Sequence, residues 1–159
     1  MDREGTKEQS LIFDTMVLAY SLLEAPGFHE EAAAALAKAD EVVAPDLLPA
    51  ELVNVVWQWV RARRLSLERG LQILDEGERL MTRLVPARMV WDRALRLSVS
   101  ANHPAYDTLF VALAIQTGTR LVTYDRRLRE LFPEHVISVP EYLQKNPQGR
   151  GNFRPFQSY

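Results

Sequence analysis

Short apolar segments alternate with longer segments of helical pattern along this chain, and this alternation restricts the possible folds more than any other feature. Strands are predicted at 11–13, 41–44, 84–87, 120–124 and 136–139. Helices between such strands usually connect parallel neighbours, so the pattern predicts an α/β fold with a mostly parallel sheet and helices on both faces. The 159 residues, of which 47% are hydrophobic, suffice for one domain with a substantial core.

For three of the predicted helices, the sequence also indicates where the helix ends or which sides are apolar. The helix before the third strand is predicted to run to about Leu84. A helix over 90–100 is predicted to carry Leu95 on the same apolar side as Ala94. The helix over 105–117 is apolar on nearly every face, which indicates a central helix that is covered by other elements.

The composition narrows the class of protein. The chain contains no cysteine, which excludes disulfide frameworks, thiolate zinc sites and cysteine nucleophiles and fits a reducing cytoplasm. No apolar run approaches the roughly 18 residues of a membrane span, and the N-terminal sequence lacks the apolar core of a secretory signal. A cytoplasmic protein without a membrane partner is therefore expected. Because the net charge is −2, any binding of nucleic acid must use a local basic patch.

The predicted domain covers residues 10–143, with an N-terminal extension at 1–9 and a basic and aromatic tail at 144–159. The tail is rich in Gly, Pro, Asn and Gln, and it contains three basic and three aromatic residues but no acidic residue. A flexible arm, a docking segment and an RNA contact are all compatible with this composition.

Four acidic residues, Asp14, Glu51, Asp107 and Asp125, stand where apolar segments begin or end. Each has a local explanation, because Asp is a common helix N-cap and negative charge is favoured in the first turn of a helix. Together they lie at strand ends and helix starts, which share one edge in an open parallel sheet. Four carboxylates on one edge repel one another unless a divalent cation bridges them. Oxygen-only ligands favour Mg²⁺ or Mn²⁺, so the pattern predicts a shared metal site.

Polar residues beside these acids are candidates for supporting roles. Thr15 and Thr123 could donate hydrogen bonds to a carboxylate or to a metal-bound water, although a structural hydroxyl is the commoner case. Asn54 lies one turn after the second acid and could orient it or contact a phosphate. His103 stands four residues before the third acid and could approach the site, but a loop residue at a helix start is the favoured interpretation.

Two arginine clusters are candidates for contact with a phosphate backbone. Arg61, Arg63 and Arg64 form the first cluster, and Arg126 and Arg127 belong to the second. Most such clusters are solvated faces, but arginines beside an acidic metal site are suited to bind phosphates.

Motifs for other chemistries are missing, since the chain has no GxxxxGK[ST] loop, no GxGxxG turn and no GxSxG elbow. The acids therefore indicate a metal-dependent enzyme that acts on phosphodiesters.

The chain resembles the PIN-domain nucleases, and especially VapC-like toxins, in four segments that occur in the order and spacing of the family: LIFDT, APDLLPAELVN, HPAYDTLFVALA and LVTYDRRL. The resemblance runs from about Leu11 to Leu143. It implies a three-layer α/β/α sandwich in which the four acids bind one or two Mg²⁺ or Mn²⁺ ions. Thr123 matches a position that often supports the site, whereas Met16 departs from the Ser or Asn that is frequent in the family.

This resemblance implies a metal-dependent endoribonuclease that hydrolyses RNA phosphodiester bonds and is the toxin of a VapBC-type toxin–antitoxin pair. It also implies a small antitoxin protein as partner and a homodimer. Three alternatives stay open: a non-catalytic PIN-like module that binds RNA or protein, a metal-dependent phosphoesterase for small molecules, and a DNA nuclease of related geometry.

Overall fold

Five short parallel strands form a single sheet at the centre of the computed structural model, which describes residues 10–147. The strands are β1 (Ser10–Phe13), β2 (Glu41–Pro45), β3 (Arg83–Val85), β4 (Leu121–Thr123) and β5 (Val136–Ser138). Their order in the sheet is β3-β2-β1-β4-β5, and every neighbouring pair is parallel. The first two crossovers therefore step away from β1 in one direction and the later ones in the other, which creates a topological switch point between β1 and β4.

Eight α-helices surround the sheet within residues 10–147. They are α1 (Thr15–Leu22), α2 (His29–Ala37), α3 (Leu48–Arg61), α4 (Leu67–Leu80), α5 (Trp91–Ala101), α6 (Ala105–Thr117), α7 (Arg126–Leu131) and α8 (Val139–Lys145). Helix α1 packs with α2, α3 and α4, while α5 packs with α6 as part of the other layer. The predicted α/β/α sandwich with a parallel sheet is thus confirmed.

The core lies between the sheet and these two helical layers. Phe13, Val43 and Leu121 are fully buried strand residues, as expected for strands with both faces covered. Helix α6 buries residues on several faces, including Phe110 and Leu113, so the prediction of a central, covered helix is confirmed. No helix in residues 10–147 is both long and apolar enough to cross a membrane.

Helix α4 ends earlier than predicted. It stops at Leu80 rather than near Leu84, because Thr82 already bonds to the start of the neighbouring strand β2. The Thr82 amide donates to the Val42 carbonyl at 3.0 Å, and the Val42 amide donates to Thr82 Oγ1 at 3.1 Å. These two bonds draw the chain into the sheet, so β3 begins at Arg83.

The apolar side of α5 also differs from the prediction. Ala94 is buried, but Leu95 is 61% exposed. Leu95 belongs instead to a stripe at helical spacing with Trp91 and Val99, and all three are exposed. The apolar residues of α5 thus lie on more than one side of the helix, and only one side contacts the core.

The last strand and the last helix meet differently from the prediction. Val139 is the first residue of α8 and not part of β5. Ser138 caps α8, since its Oγ accepts a hydrogen bond from the Glu141 amide at 3.1 Å. Ser followed three residues later by Glu is a helix-start signal that the prediction of a strand through Val139 did not take into account. The predicted N-terminal extension and residues 148–159 of the predicted tail lie outside the described residues.

Candidate metal centre

The four predicted acids line one cavity of about 390 Å³ at the switch point of the sheet. Asp14 follows β1 and caps α1, while Asp125 follows β4 after one residue and caps α7. Glu51 lies in the first turn of α3 and Asp107 in the first turn of α6. Parallel strands and the helices that follow them place all four at the same edge. Acids separated by many residues in the sequence therefore face the same space.

Asp14 is the most strongly held of the four acids. Its Oδ1 accepts hydrogen bonds from the amides of Met16 at 3.0 Å and Val17 at 3.2 Å, and its Oδ2 accepts one from the Thr123 hydroxyl. Burial nevertheless raises the pKa of the Asp14 carboxyl to about 6, with a further contribution from the negative charge of Asp107. Without a nearby cation, burial therefore opposes ionisation of the Asp14 carboxyl.

Glu51 is held by a neighbouring threonine. The Thr15 hydroxyl, which is buried, donates to Glu51 Oε1 at 2.8 Å. Burial raises the pKa of Glu51, and the charge of Asp107 adds to this effect. Because Asp107 raises the pKa of both Asp14 and Glu51, these three acids interact electrostatically across the cavity.

Thr123 connects two of the acids through its hydroxyl group. Its side chain is fully buried, its hydroxyl donates to Asp14 Oδ2, and the same oxygen accepts from the Asp125 amide at 2.9 Å. One hydroxyl therefore orients the carboxylate that follows β1 and the backbone that follows β4.

Replacing Thr123 with Val should destabilise the protein by about 1–3 kcal/mol, because the Asp125 amide and the Asp14 carboxylate lose a buried partner. We expect affinity for Mn²⁺ to fall by about 10- to 100-fold, as is typical when a group that orients a metal ligand is removed. Denaturant unfolding and calorimetric titration with Mn²⁺ measure these effects. Thr123→Ser keeps the hydroxyl and is the control. Wild-type stability and affinity in the Val variant would contradict the role of the hydroxyl.

His103 belongs to this site, although the sequence favoured a simple loop residue. Its Nε2 lies 2.7 Å from Asp107 Oδ2, and its side chain is only 12% exposed. Single ligand atoms of His103, Asp107 and Asp125 all lie within 4.8 Å of one another. The spacing of four residues to Asp107 was the available signal, but the direction of a side chain in a connection between helices is not readable from spacing.

The other supporting candidates occupy different positions. Asn54 is exposed and lines the cavity one turn beyond Glu51. Tyr20 and Tyr124 line the cavity as well, and their ring centroids are 5.5 Å apart. Phe28 stacks on Tyr20 at 4.5 Å, so these aromatic rings pack together beside the acids.

Neither arginine cluster lines the cavity. Arg61 lies about 15 Å from Glu51 along the axis of α3, at roughly 1.5 Å per residue. Its guanidinium lies 5.4 Å from the centre of the Trp57 ring. Arg63 and Arg64 follow α3 and are exposed.

The second arginine cluster is nearer to the acids. Arg126 and Arg127 directly follow Asp125 in the first turn of α7. Both are exposed, and both pair with Glu130, at 2.8 Å and 3.8 Å. Their position beside an acid and their exposure leave them accessible to a ligand at this edge of the sheet.

The donor atoms of the site suit a hard divalent cation. Carboxylate oxygens predominate, carboxylate oxygens of Asp107 and Asp125 already lie within 4.8 Å of each other, and partly buried carboxylates with raised pKa values gain from a nearby positive charge. The remaining two acids, Asp14 and Glu51, line the same cavity. The residues present therefore fit Mg²⁺ or Mn²⁺.

Comparisons with known proteins show what this chain is similar to. A family model described as PIN domain matches residues 11–131, a range that contains all four acids. Ribonuclease VapC3 from Pyrobaculum aerophilum is 32% identical over 110 residues, which are 67% of this chain and 83% of that protein. The crystal structure of PAE2754 from Pyrobaculum aerophilum has a TM-score of 0.68 at 20% identity and covers 91% of this chain and 100% of that one. At this identity the structural likeness is evidence for the fold alone.

Proposed function

This chain belongs to the PIN domain family, and from that premise we propose that it is a metal-dependent endoribonuclease and the toxin of a VapBC-type toxin–antitoxin pair. The observation that carries the proposal is the convergence of Asp14, Glu51, Asp107 and Asp125 on one cavity. The name of the relative, ribonuclease VapC3, supports RNA as the substrate.

In this proposal the four acids hold one or two Mg²⁺ or Mn²⁺ ions. When bound, the cation lowers the pKa of an attacking water and stabilises the charge that develops on the scissile phosphate. The chain itself supplies the geometry: Thr123 orients Asp14, and Thr15 orients Glu51. Ligand carboxylates that are held in place before binding need little reorganisation when the cation and substrate arrive.

The helix starts at this edge provide further support for a phosphate substrate. Helices α3 and α6 both begin beside the cavity, with Glu51 and Asp107 in their first turns. The positive ends of helix dipoles favour anions, both carboxylates and phosphates. Partial positive charge from the backbone thus offsets part of the repulsion between the acids and an RNA strand.

We propose that Arg126 and Arg127 contact RNA phosphates next to the scissile bond, because they are exposed and adjacent to Asp125. Arg61, Arg63 and Arg64 would contact RNA only at a distance from the acids. These assignments rest on position and on the ability of Arg to bind phosphate with two donors.

The proposed partners are RNA, a small antitoxin protein and a second copy of this chain. The exposed apolar stripe on α5, formed by Trp91, Leu95 and Val99, supports a homodimer, since such a surface is costly to leave in water. A cytoplasmic location is proposed because a toxin that cleaves RNA must reach its target there.

The experiment that tests this function is cleavage of a panel of structured RNAs by the full chain. We expect cutting with Mg²⁺ or Mn²⁺ and loss of cutting with EDTA, since the carboxylates alone supply no Lewis acid. Single-stranded DNA and a chromogenic phosphomonoester serve as comparison substrates.

Each other outcome favours a different alternative. RNA binding that survives EDTA without any cleavage would favour a non-catalytic module. Turnover of the phosphomonoester with intact RNA would favour a small-molecule phosphoesterase, and cleavage of DNA alone would favour a DNA nuclease.

A further inference from the structure

His103 has no role yet in this account of the site, in which threonines orient two of the four acids. Three of the acids are oriented by groups other than histidine: Asp14 by Thr123, Glu51 by Thr15, and Asp125 by the Leu128 amide at 3.0 Å. Asp107 has no such threonine or amide. Of the residues that the structure describes, only His103 donates a hydrogen bond to the Asp107 side chain.

The backbone around His103 is restrained on both sides. Asn102 ends α5 in the left-handed region, with φ of 48°. The His103 amide donates to the Ser98 carbonyl at 3.1 Å, and Pro104 follows with its restricted φ. A residue held between a helix end and a proline has little backbone freedom. From this restrained position the imidazole contacts Asp107 in the first turn of α6.

The contact itself has the geometry of a strong, oriented hydrogen bond. The distance from His103 Nε2 to Asp107 Oδ2 is 2.7 Å, and an ionised carboxylate only accepts, so Nε2 carries the donated hydrogen. The His103 ring is 12% exposed, whereas the Asp107 side chain is 38% exposed. The shielded ring thus holds a more exposed carboxylate, which would otherwise be free to rotate into solvent.

We propose that His103 is a positioning residue that holds Asp107 toward Asp125 for metal binding. This inference rests on the proposed function, because it concerns the same site. One Asp107 oxygen is bound by His103, which leaves the other oxygen available to a cation. Ligand atoms of His103, Asp107 and Asp125 lie within 4.8 Å of one another, so the carboxylate that His103 holds lies close to that of Asp125.

The test is calorimetric titration of the full chain with Mn²⁺, without RNA. His103→Ala should weaken the affinity by about 10- to 100-fold, as expected for removal of a group that orients a ligand. His103→Gln should restore most of the affinity, because its amide can donate a similar hydrogen bond. His29→Ala is the matched control: His29 also makes one 2.8 Å bond, to the Ser21 carbonyl, and does not line the cavity. Thermal melting of each variant verifies folding.

Several results would overturn the inference. Unchanged Mn²⁺ affinity in a folded His103→Ala variant would show that Asp107 needs no positioning by the ring. A directly coordinated nitrogen in the pulsed electron paramagnetic resonance spectrum of the Mn²⁺-bound wild type, lost in His103→Ala, would make His103 a ligand instead. A wild type that binds no Mn²⁺ would overturn the proposed function and this inference with it, whereas equal binding by wild type and variant counts against the inference alone.

Discussion

Replacing Asp107 with Asn should reduce metal-dependent RNA cleavage by about 10³-fold, the scale seen when one preorganised electrostatic group is removed from an active site. The substitution removes a negative charge from the cavity and keeps the size of the side chain. The charge of Asp107 raises the pKa of Asp14 and Glu51. Its removal therefore reduces the repulsion between the acids, so that a bound cation stabilises the site less. Initial rates on the best RNA of the panel, at saturating Mg²⁺ or Mn²⁺, measure the effect.

The fold should survive this substitution. The Asp107 side chain is 38% exposed, and its one described hydrogen bond, to His103, can be replaced by an amide oxygen. Asp92→Asn is the matched control, since Asp92 lies in the first turn of α5, outside the cavity, and is 77% exposed. We expect normal cleavage by the Asp92 variant. Full activity in a folded Asp107→Asn variant would contradict the assignment of the site.

Replacing Asp14 with Asn should abolish cleavage and, without metal, stabilise the fold at neutral pH by on the order of 2 kcal/mol. The reason is the burial that raises the pKa of Asp14 from 3.8 to about 6. The charged carboxylate is less favourable in the folded protein than in the unfolded chain. Asn is an equally good helix N-cap, so the amide hydrogen bonds at the start of α1 can persist.

The stability of the metal-free protein should depend on pH, because the pKa of Asp14 is higher in the folded protein than in the unfolded chain. Between pH 3.8 and about pH 6 the folded protein retains the Asp14 proton while the unfolded chain has lost it. The free energy of unfolding therefore falls as pH rises through this window and is lower by a constant amount above it. Glu51 acts in the same direction, since burial raises its pKa too.

Denaturant unfolding of the metal-free wild type and Asp14→Asn from pH 4 to pH 8 measures the difference. We expect the two curves to diverge as pH rises, and Mn²⁺ to stabilise the wild type much more than the variant. Asp92→Asn is again the control for loss of an acidic side chain. Parallel curves for wild type and Asp14→Asn would contradict the view that Asp14 is held in the cavity at a cost in stability.

Local signals in the sequence predicted most of the architecture. Short apolar strands and the covered helix α6 follow from patterns within a few residues of one another. The errors arose where a distant element competed with local preference. Helix α4 stops early because Thr82 bonds to Val42, forty residues away in the chain. Leu95 is exposed because only one side of α5 meets the core.

The alternation of strands and helices and the placement of four acids at strand ends and helix starts are predictable from the chain, because both depend on local composition. Which side chains meet depends on the tertiary fold. The strand order sets β4 beside β1, and this pairing brings Thr123 to Asp14 across 109 positions of the chain. The tight connection between α5 and α6 turns His103 onto Asp107, and the length of α3 separates Arg61 from Glu51. These relations depend on long-range packing of buried surfaces, which no local pattern encodes.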